Sequence, residues 1–203
     1  MAVAAEARDP ADLDRLLGAI RACRLCEAHL PLGPRPVLRA SRIARLLIAG
    51  QAPGTRVHAS GIPWNDASGE RLRRWLGLDA ATFYDESRVA IVSMGFCYPG
   101  RGASGDLPPR PECRRTWHPQ LIPLLPDVKL TLAIGQYAQA YFLGERRRKT
   151  LTETVQAWRD YLPDILPLPH PSPRNTGWLE RNPWFEEALL PELRQRVAAA
   201  IGP

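Results

Sequence analysis

Four short apolar runs constrain this chain more than any other feature: RLLIAG (45–50), RVAIVSM (88–94), VKLTLAIG (128–135) and DILPLP (164–169). Each is rich in branched aliphatic residues and bounded by glycine, proline or charge, as strands buried on both faces are. Between them lie helical patterns. SGERLRRWLGL (68–78) has Ser68 as its expected cap. A segment from Arg110 to about Leu125 is broken near its end by Pro119 and Pro123, and QYAQAYFLG (136–144) and TLTETVQAWRDYL (150–162) follow. A first helix is expected over 9–28, with Asp9 as cap, Pro10 in the first turn and Leu13, Leu16, Leu17 and Ile20 on one face. A proline-rich connection occupies 29–41, and a last helix runs from about Asn182 to Ile201. Strands alternating with helices predict an α/β chain with a mainly parallel sheet covered on both faces. No internal repeat or long linker divides the 203 residues, so a single domain over 1–203 is expected.

In such sheets ligands bind beyond the carboxyl ends of the strands. Four segments fall at that rim: the loop from Gly50, then Ser93-Met94-Gly95, then Gly135-Gln136, then HPSPRN (170–175).

The formal charge is +6, and of 27 basic residues only Lys129 and Lys149 are lysine. An arginine excess reflects either codon usage or a phosphate-binding surface. No apolar run is long enough to span a bilayer, and the N-terminus lacks the pattern of a secretory signal. The expectation is a cytoplasmic, nucleoid-associated bacterial protein with no membrane partner.

Four cysteines stand as Cys23 and Cys26 in CRLC, then Cys97 and Cys113. Disulfides do not suit a cytoplasmic protein, whereas four thiols can hold zinc or an iron–sulfur cluster. The second C-x-x-C pair of a zinc ribbon is missing, and the wide spacing across a Gly/Pro loop suits a larger cluster better. Four unrelated buried cysteines are the alternative.

Two residues at the rim carry candidate chemistry. Asp66, in WNDASG, is either a helix cap or a carboxylate that orients water or steadies a developing cation. His170 sits among Pro169, Pro171 and Pro173, which restrict the local backbone. An imidazole held in this way can donate a hydrogen bond to an anionic leaving group.

GQAPG (50–54) with GIPWNDASG (61–69) and HPSPRN together resemble the uracil-DNA glycosylase superfamily. The cysteine spacing and FCYPG (96–100) resemble the iron–sulfur members, family 4 in particular. The resemblance covers nearly the whole chain. It implies a three-layer α/β/α sandwich around a four-stranded sheet, with Cys23, Cys26, Cys97 and Cys113 holding a 4Fe–4S cluster. It further implies hydrolysis of the bond between a damaged base and deoxyribose after the base is flipped from the duplex. On that likeness Asp66 and His170 are catalytic. Gln51, Ala52 and Gly54 shape the pocket, Trp64 stacks on the base, and Ser172, Arg174 and Asn175 meet DNA.

The chain also departs from the family. Family 4 has a glutamate where this chain has Gln51, and other members have an aspartate where it has Ala52. The role of the acid passes to Asp66, by its likeness to the GDxS segment of family 5, with Asn65 a weaker substitute. Uracil-specific members end strand two with an asparagine where this chain has Ser93, which discriminates less between base edges. Relaxed base specificity is therefore expected. Arg71, Arg73, Arg74 and the GERRRK stretch (144–149) read as solvated charge.

The expected protein is a monomeric, monofunctional glycosylase acting on uracil-containing or otherwise damaged DNA. Its rivals are a non-catalytic binder of abasic or damaged DNA, and a redox or zinc protein whose rim holds a small nucleotide.

Overall fold

The structure, a computed structural model, describes residues 10–103 and 105–202. The expected cap at Asp9 lies outside them. Helix α1 (Pro10–Arg21) leads through a single 3-10 turn at Glu27–His29 to strand β1 (Leu46–Ala49). Then come α2 (Thr55–Ser60), α3 (Ala67–Leu76), α4 (Ala80–Phe83) and β2 (Val89–Ile91). A small hairpin, β3 (Arg101–Gly102) with β4 (Gly105–Asp106), precedes α5 (Pro111–Thr116) and α6 (His118–Leu121). Strand β5 (Leu130–Ile134), α7 (Gly135–Leu143), α8 (Leu151–Gln156), β6 (Ile165–Leu168), α9 (Thr176–Arg181) and α10 (Leu190–Ile201) complete the chain.

The sheet has the order β2-β1-β5-β6 and every pair in it is parallel. Its residues alternate between two cores, as the pleat requires. Leu46, Ile48, Val89, Ile91, Leu130 and Leu132 face one side, against Leu72 and Trp75 of α3, Val155 of α8 and Leu193 and Val197 of α10. Leu47 and Ala90 face the other, against Leu13, Leu17 and Ile20 of α1 and Leu121 of α6. Ala49 and Ala133 meet Ala138 of α7 on that side too. Helices on both faces make the three-layer α/β/α sandwich that the alternating runs predict.

Several boundaries differ from the expected ones. Helix α1 stops at Arg21 because its buried residues end at Ile20; Arg21 and Ala22 are exposed, so nothing on the next turn faces the core. Strand β5 begins at Leu130, leaving Lys129 just outside it. The segment from Arg110 breaks at Trp117, ahead of Pro119. The last helix opens with a π turn at Phe185–Leu189, next to Pro191, which has no N–H for the helical ladder.

Phe185 is fully buried and edge-on to Trp75 at 4.8 Å, with Trp178 at 5.7 Å and Trp184 at 6.3 Å. It joins the C-terminal helices to α3, the helix that Asp66 begins. Phe185→Ala should cost about 3–5 kcal/mol through lost burial and the cavity left behind. Urea unfolding of the variant against the parent checks this.

Candidate functional site

The strand ends open onto one cavity of about 530 Å³. The loop after β1 contributes Gln51, Ala52, Pro53 and Gly54, then Pro63, Trp64 and Asp66. The loop after β2 contributes Ser93 and, further on, Gly105 and Asp106 of the hairpin. The loop after β6 contributes His170, Ser172, Pro173, Arg174 and Asn175. Three of the four expected rim segments meet here. The fourth does not line the cavity: Gln136 is exposed, while Gly135 backs His170, a Cβ at Gly135 falling 3.9 Å from that of His170.

The loop after β1 is shaped by Trp64. Its φ of 57° is left-handed, a conformation uncommon for a residue with a side chain. Two glycines make room for it. A Cβ at Gly50 would come within 2.7 Å of the indole Cζ2, and one at Gly69 within 1.7 Å of the Trp64 carbonyl oxygen. The ring is only 8% exposed and belongs to the main core. It packs against the His170 imidazole, with centroids 5.5 Å apart and planes 33° from parallel. Trp64 thus supports His170 and borders the cavity.

Asp66 directly follows this turn. Its Oδ1 accepts a hydrogen bond from the Gly69 N–H at 2.8 Å and caps α3. The cap is therefore Asp66, not Ser68: the extended backbone of Asp66 lets its side chain reach back to the first turn, while Ser68 is already inside the helix. Capping and cavity lining are compatible, because one carboxylate oxygen serves the helix and the other is left over. Asn65 is exposed and does not line the cavity, so of the two adjacent candidates only Asp66 reaches it.

His170 is partly buried, and burial pushes its pKa below the ordinary imidazole value, with the Asp66 carboxylate pulling in the opposite direction. The ring is held neutral near pH 7, a state that keeps one N–H to donate. Its loop is fastened from several sides. Asn175 Nδ2 donates to the His170 carbonyl at 2.7 Å, so Asn175 stiffens the loop from within. Ser172 Oγ accepts from the Arg174 N–H at 3.3 Å. Arg71 donates to the Ser172 carbonyl at 3.1 Å and to Thr176 Oγ1 at 3.3 Å. Arg73 donates to the Trp64 carbonyl and to the Tyr84 hydroxyl, and lies over the Phe83 ring at 5.4 Å. The expectation of a solvated arginine face fails for Arg71 and Arg73: both tie α3 to neighbouring segments. Arg74 is exposed as expected, and Arg148 of the GERRRK stretch forms an exposed ion pair with Asp160.

Gln51 reaches across to the hairpin, its Nε2 donating to the Leu107 carbonyl at 3.2 Å, while its own carbonyl accepts from Gly95. The hairpin was missed in the sequence, and Asp106 with it. The signal present was an acid in SGDLPPRP, followed after Leu107 by Pro108 and Pro109, which stiffen the loop.

All four cysteines are free and line a second cavity, on the other side of the β2 loop, together with Phe96, Arg110 and Trp117. Burial pushes the Cys97 thiol up to about 11 and the Cys113 thiol to about 12, and it raises Cys26 as well. Among the described residues no group of three or more His, Cys, Asp or Glu is gathered for a single metal ion. None of their helices is long and apolar enough to cross a membrane.

An NMR titration should give His170 a midpoint below the ordinary value of about 6.5. In Asp66→Asn the midpoint should fall further, because the nearby negative charge is gone. A rise in that variant would contradict the arrangement.

Residues 40–194, most of the chain, match the family model described as the uracil DNA glycosylase superfamily; the span includes Cys97 and Cys113 but not Cys23 or Cys26.

Proposed function

Because the chain belongs to the uracil DNA glycosylase superfamily, we propose that it hydrolyses the N-glycosidic bond of uracil in DNA, and of other deaminated or modified bases, leaving an abasic site. One observation carries the reading: Asp66 and His170 share one cavity beyond the carboxyl ends of the strands.

Breaking the bond leaves positive charge on the sugar and negative charge on the departing base. A carboxylate at Asp66 steadies the first or positions the water that attacks it. The His170 N–H meets the second, and a neutral donor loses no proton to solvent between turnovers. The cavity walls at Gln51, Ala52 and Trp64 enclose the base, and Gly54 leaves space beside the carboxylate of Asp66. Ser93, at the end of β2, offers a hydroxyl that both donates and accepts, which favours a broad base range. Ser172 and the exposed Arg174 lie at the mouth, where the DNA backbone would run. Neither Lys129 nor Lys149 borders the cavity, which favours simple hydrolysis over Schiff-base chemistry.

We also assign a 4Fe–4S cluster to Cys23, Cys26, Cys97 and Cys113. Four soft donors around one cavity, together with the wide Cys97–Cys113 spacing, suit a polynuclear group. When bound, such a cluster would supply a cross-link among the turn after α1, the β2 loop and α5. The burial that holds Cys97 and Cys113 protonated would then be offset by iron at their sulfurs. Protein purified without oxygen should show a visible absorbance shoulder, bleached on reduction, with bound iron, and Cys97→Ala should lose both. A colourless, iron-free parent protein would end the assignment.

Asn caps helices as well as Asp does. Asp66→Asn should therefore keep the fold and the affinity for DNA while single-turnover excision falls on the order of 100-fold or more. The assay uses duplexes carrying uracil, hypoxanthine or xanthine. A near-full rate in the variant would remove Asp66 from the chemistry, and strict uracil dependence would remove the relaxed specificity. Tight binding of abasic DNA without excision of any base would favour the non-catalytic reading.

A further inference from the structure

The hairpin brings a second carboxylate to the cavity. Asp106 closes β4 opposite Arg101, and its neighbour Gly105 packs directly on the Arg174 guanidinium. The hairpin therefore meets the His170 loop at Arg174, while the Gln51 bond to the Leu107 carbonyl fastens it to the loop after β1. Asp106 is held between the two loops that carry Asp66 and His170.

Gly54 marks where the two carboxylates converge. A Cβ placed on it would lie 3.5 Å from Asp106 Oδ2 and 3.9 Å from Asp66 Oδ2. Both carboxylates therefore border the same space over Gly54, and a side chain there would narrow it. The backbone there has φ −84° and ψ 178°, which any residue adopts, so the glycine is a matter of space and not of conformation. Among the described residues, no hydrogen bond or ion pair engages the Asp106 side chain. Asp66, by contrast, has one oxygen committed to the α3 cap.

Negative charge beside the sugar steadies a cationic transition state, and the attacking water needs a base for its proton, a part that a carboxylate plays in glycosidases. We infer that Asp106 is a second catalytic carboxylate, the proton acceptor for a water held at Gly54, while Asp66 faces the sugar; this inference rests on the glycosylase reading above. The C1′–N bond breaks and its electron pair leaves with the base. The water oxygen bonds to C1′ and keeps one hydrogen as the new hydroxyl. Its other proton passes to Asp106 and from there, through solvent, to the base anion, so atoms and charge balance.

Single-turnover excision from a uracil duplex tests this, with DNA affinity read in parallel by fluorescence anisotropy on an abasic-analogue duplex. Asp106→Asn should lose rate on the order of 100-fold, the usual size of a general-base contribution. Its affinity should hold or tighten, since a negative charge near phosphates is removed, and Asp106→Glu should recover part of the rate. Gly54→Ala should fold normally, because its methyl makes only ordinary contacts, yet lose rate by filling the gap. The inference is overturned if Asp106→Asn stays within about twofold of the parent, or if its rate and affinity fall together as a purely structural hairpin contact would require. A parent inert on every base would overturn the glycosylase reading along with it. An active parent with an indifferent Asp106→Asn overturns this inference alone.

Discussion

The contact between the Asp66 carboxylate and the Gly69 N–H organises the site. It begins α3, and α3 is packed into the main core through Leu72, Trp75 and Leu76. The side chain is therefore anchored to the sheet by a rigid helix and not suspended in a loop. The same turn forces Trp64 into a left-handed backbone and lays its indole against His170. Gly50 and Gly69 are the spaces that make this possible, and any side chain at Gly69 would collide with the Trp64 carbonyl. Cap, turn and imidazole form one mechanical unit, in which backbone strain is retained next to the chemistry.

Around that unit the polar groups divide into holders and actors. Arg71, Arg73, Asn175 and Gln51 all donate to backbone carbonyls of neighbouring segments. The Asn175 bond stiffens the His170 loop from within, and the others tie segments that would otherwise be joined only through the sheet. His170, Asp66 and Asp106 keep polar atoms toward the cavity. The His170 ring is neutral because burial outweighs the attraction of Asp66, which suits it to meet an anion without first losing a proton.

The four apolar runs were legible as strands because a doubly covered parallel strand is apolar throughout, and all four form the sheet. HPSPRN and WNDASG were legible as rim segments, since Pro and Gly restrict the local chain wherever it lies, and both line the one cavity there. The hairpin was not legible. Its two-residue strands have no periodicity, and its position depends on Gln51 and Arg174, each more than fifty residues away in sequence. Short helices such as α2 and α9 escaped for a related reason: six residues are too few to display a face. Arg71 and Arg73 read as surface charge, and only their distant acceptors gave them another role.

The sequence by itself determined the layered architecture and set Asp66 and His170 at its rim, because apolar runs and turn chemistry act over a few residues. Tertiary structure alone decided which side chains face the cavity. It turned Asn65 outward, buried Trp64 against the histidine, made Asp66 rather than Ser68 the cap and brought Asp106 opposite Gly54. Each of these depends on the direction of a side chain relative to segments far along the chain. That direction follows from packing and from hydrogen bonds between loops, which no local pattern encodes.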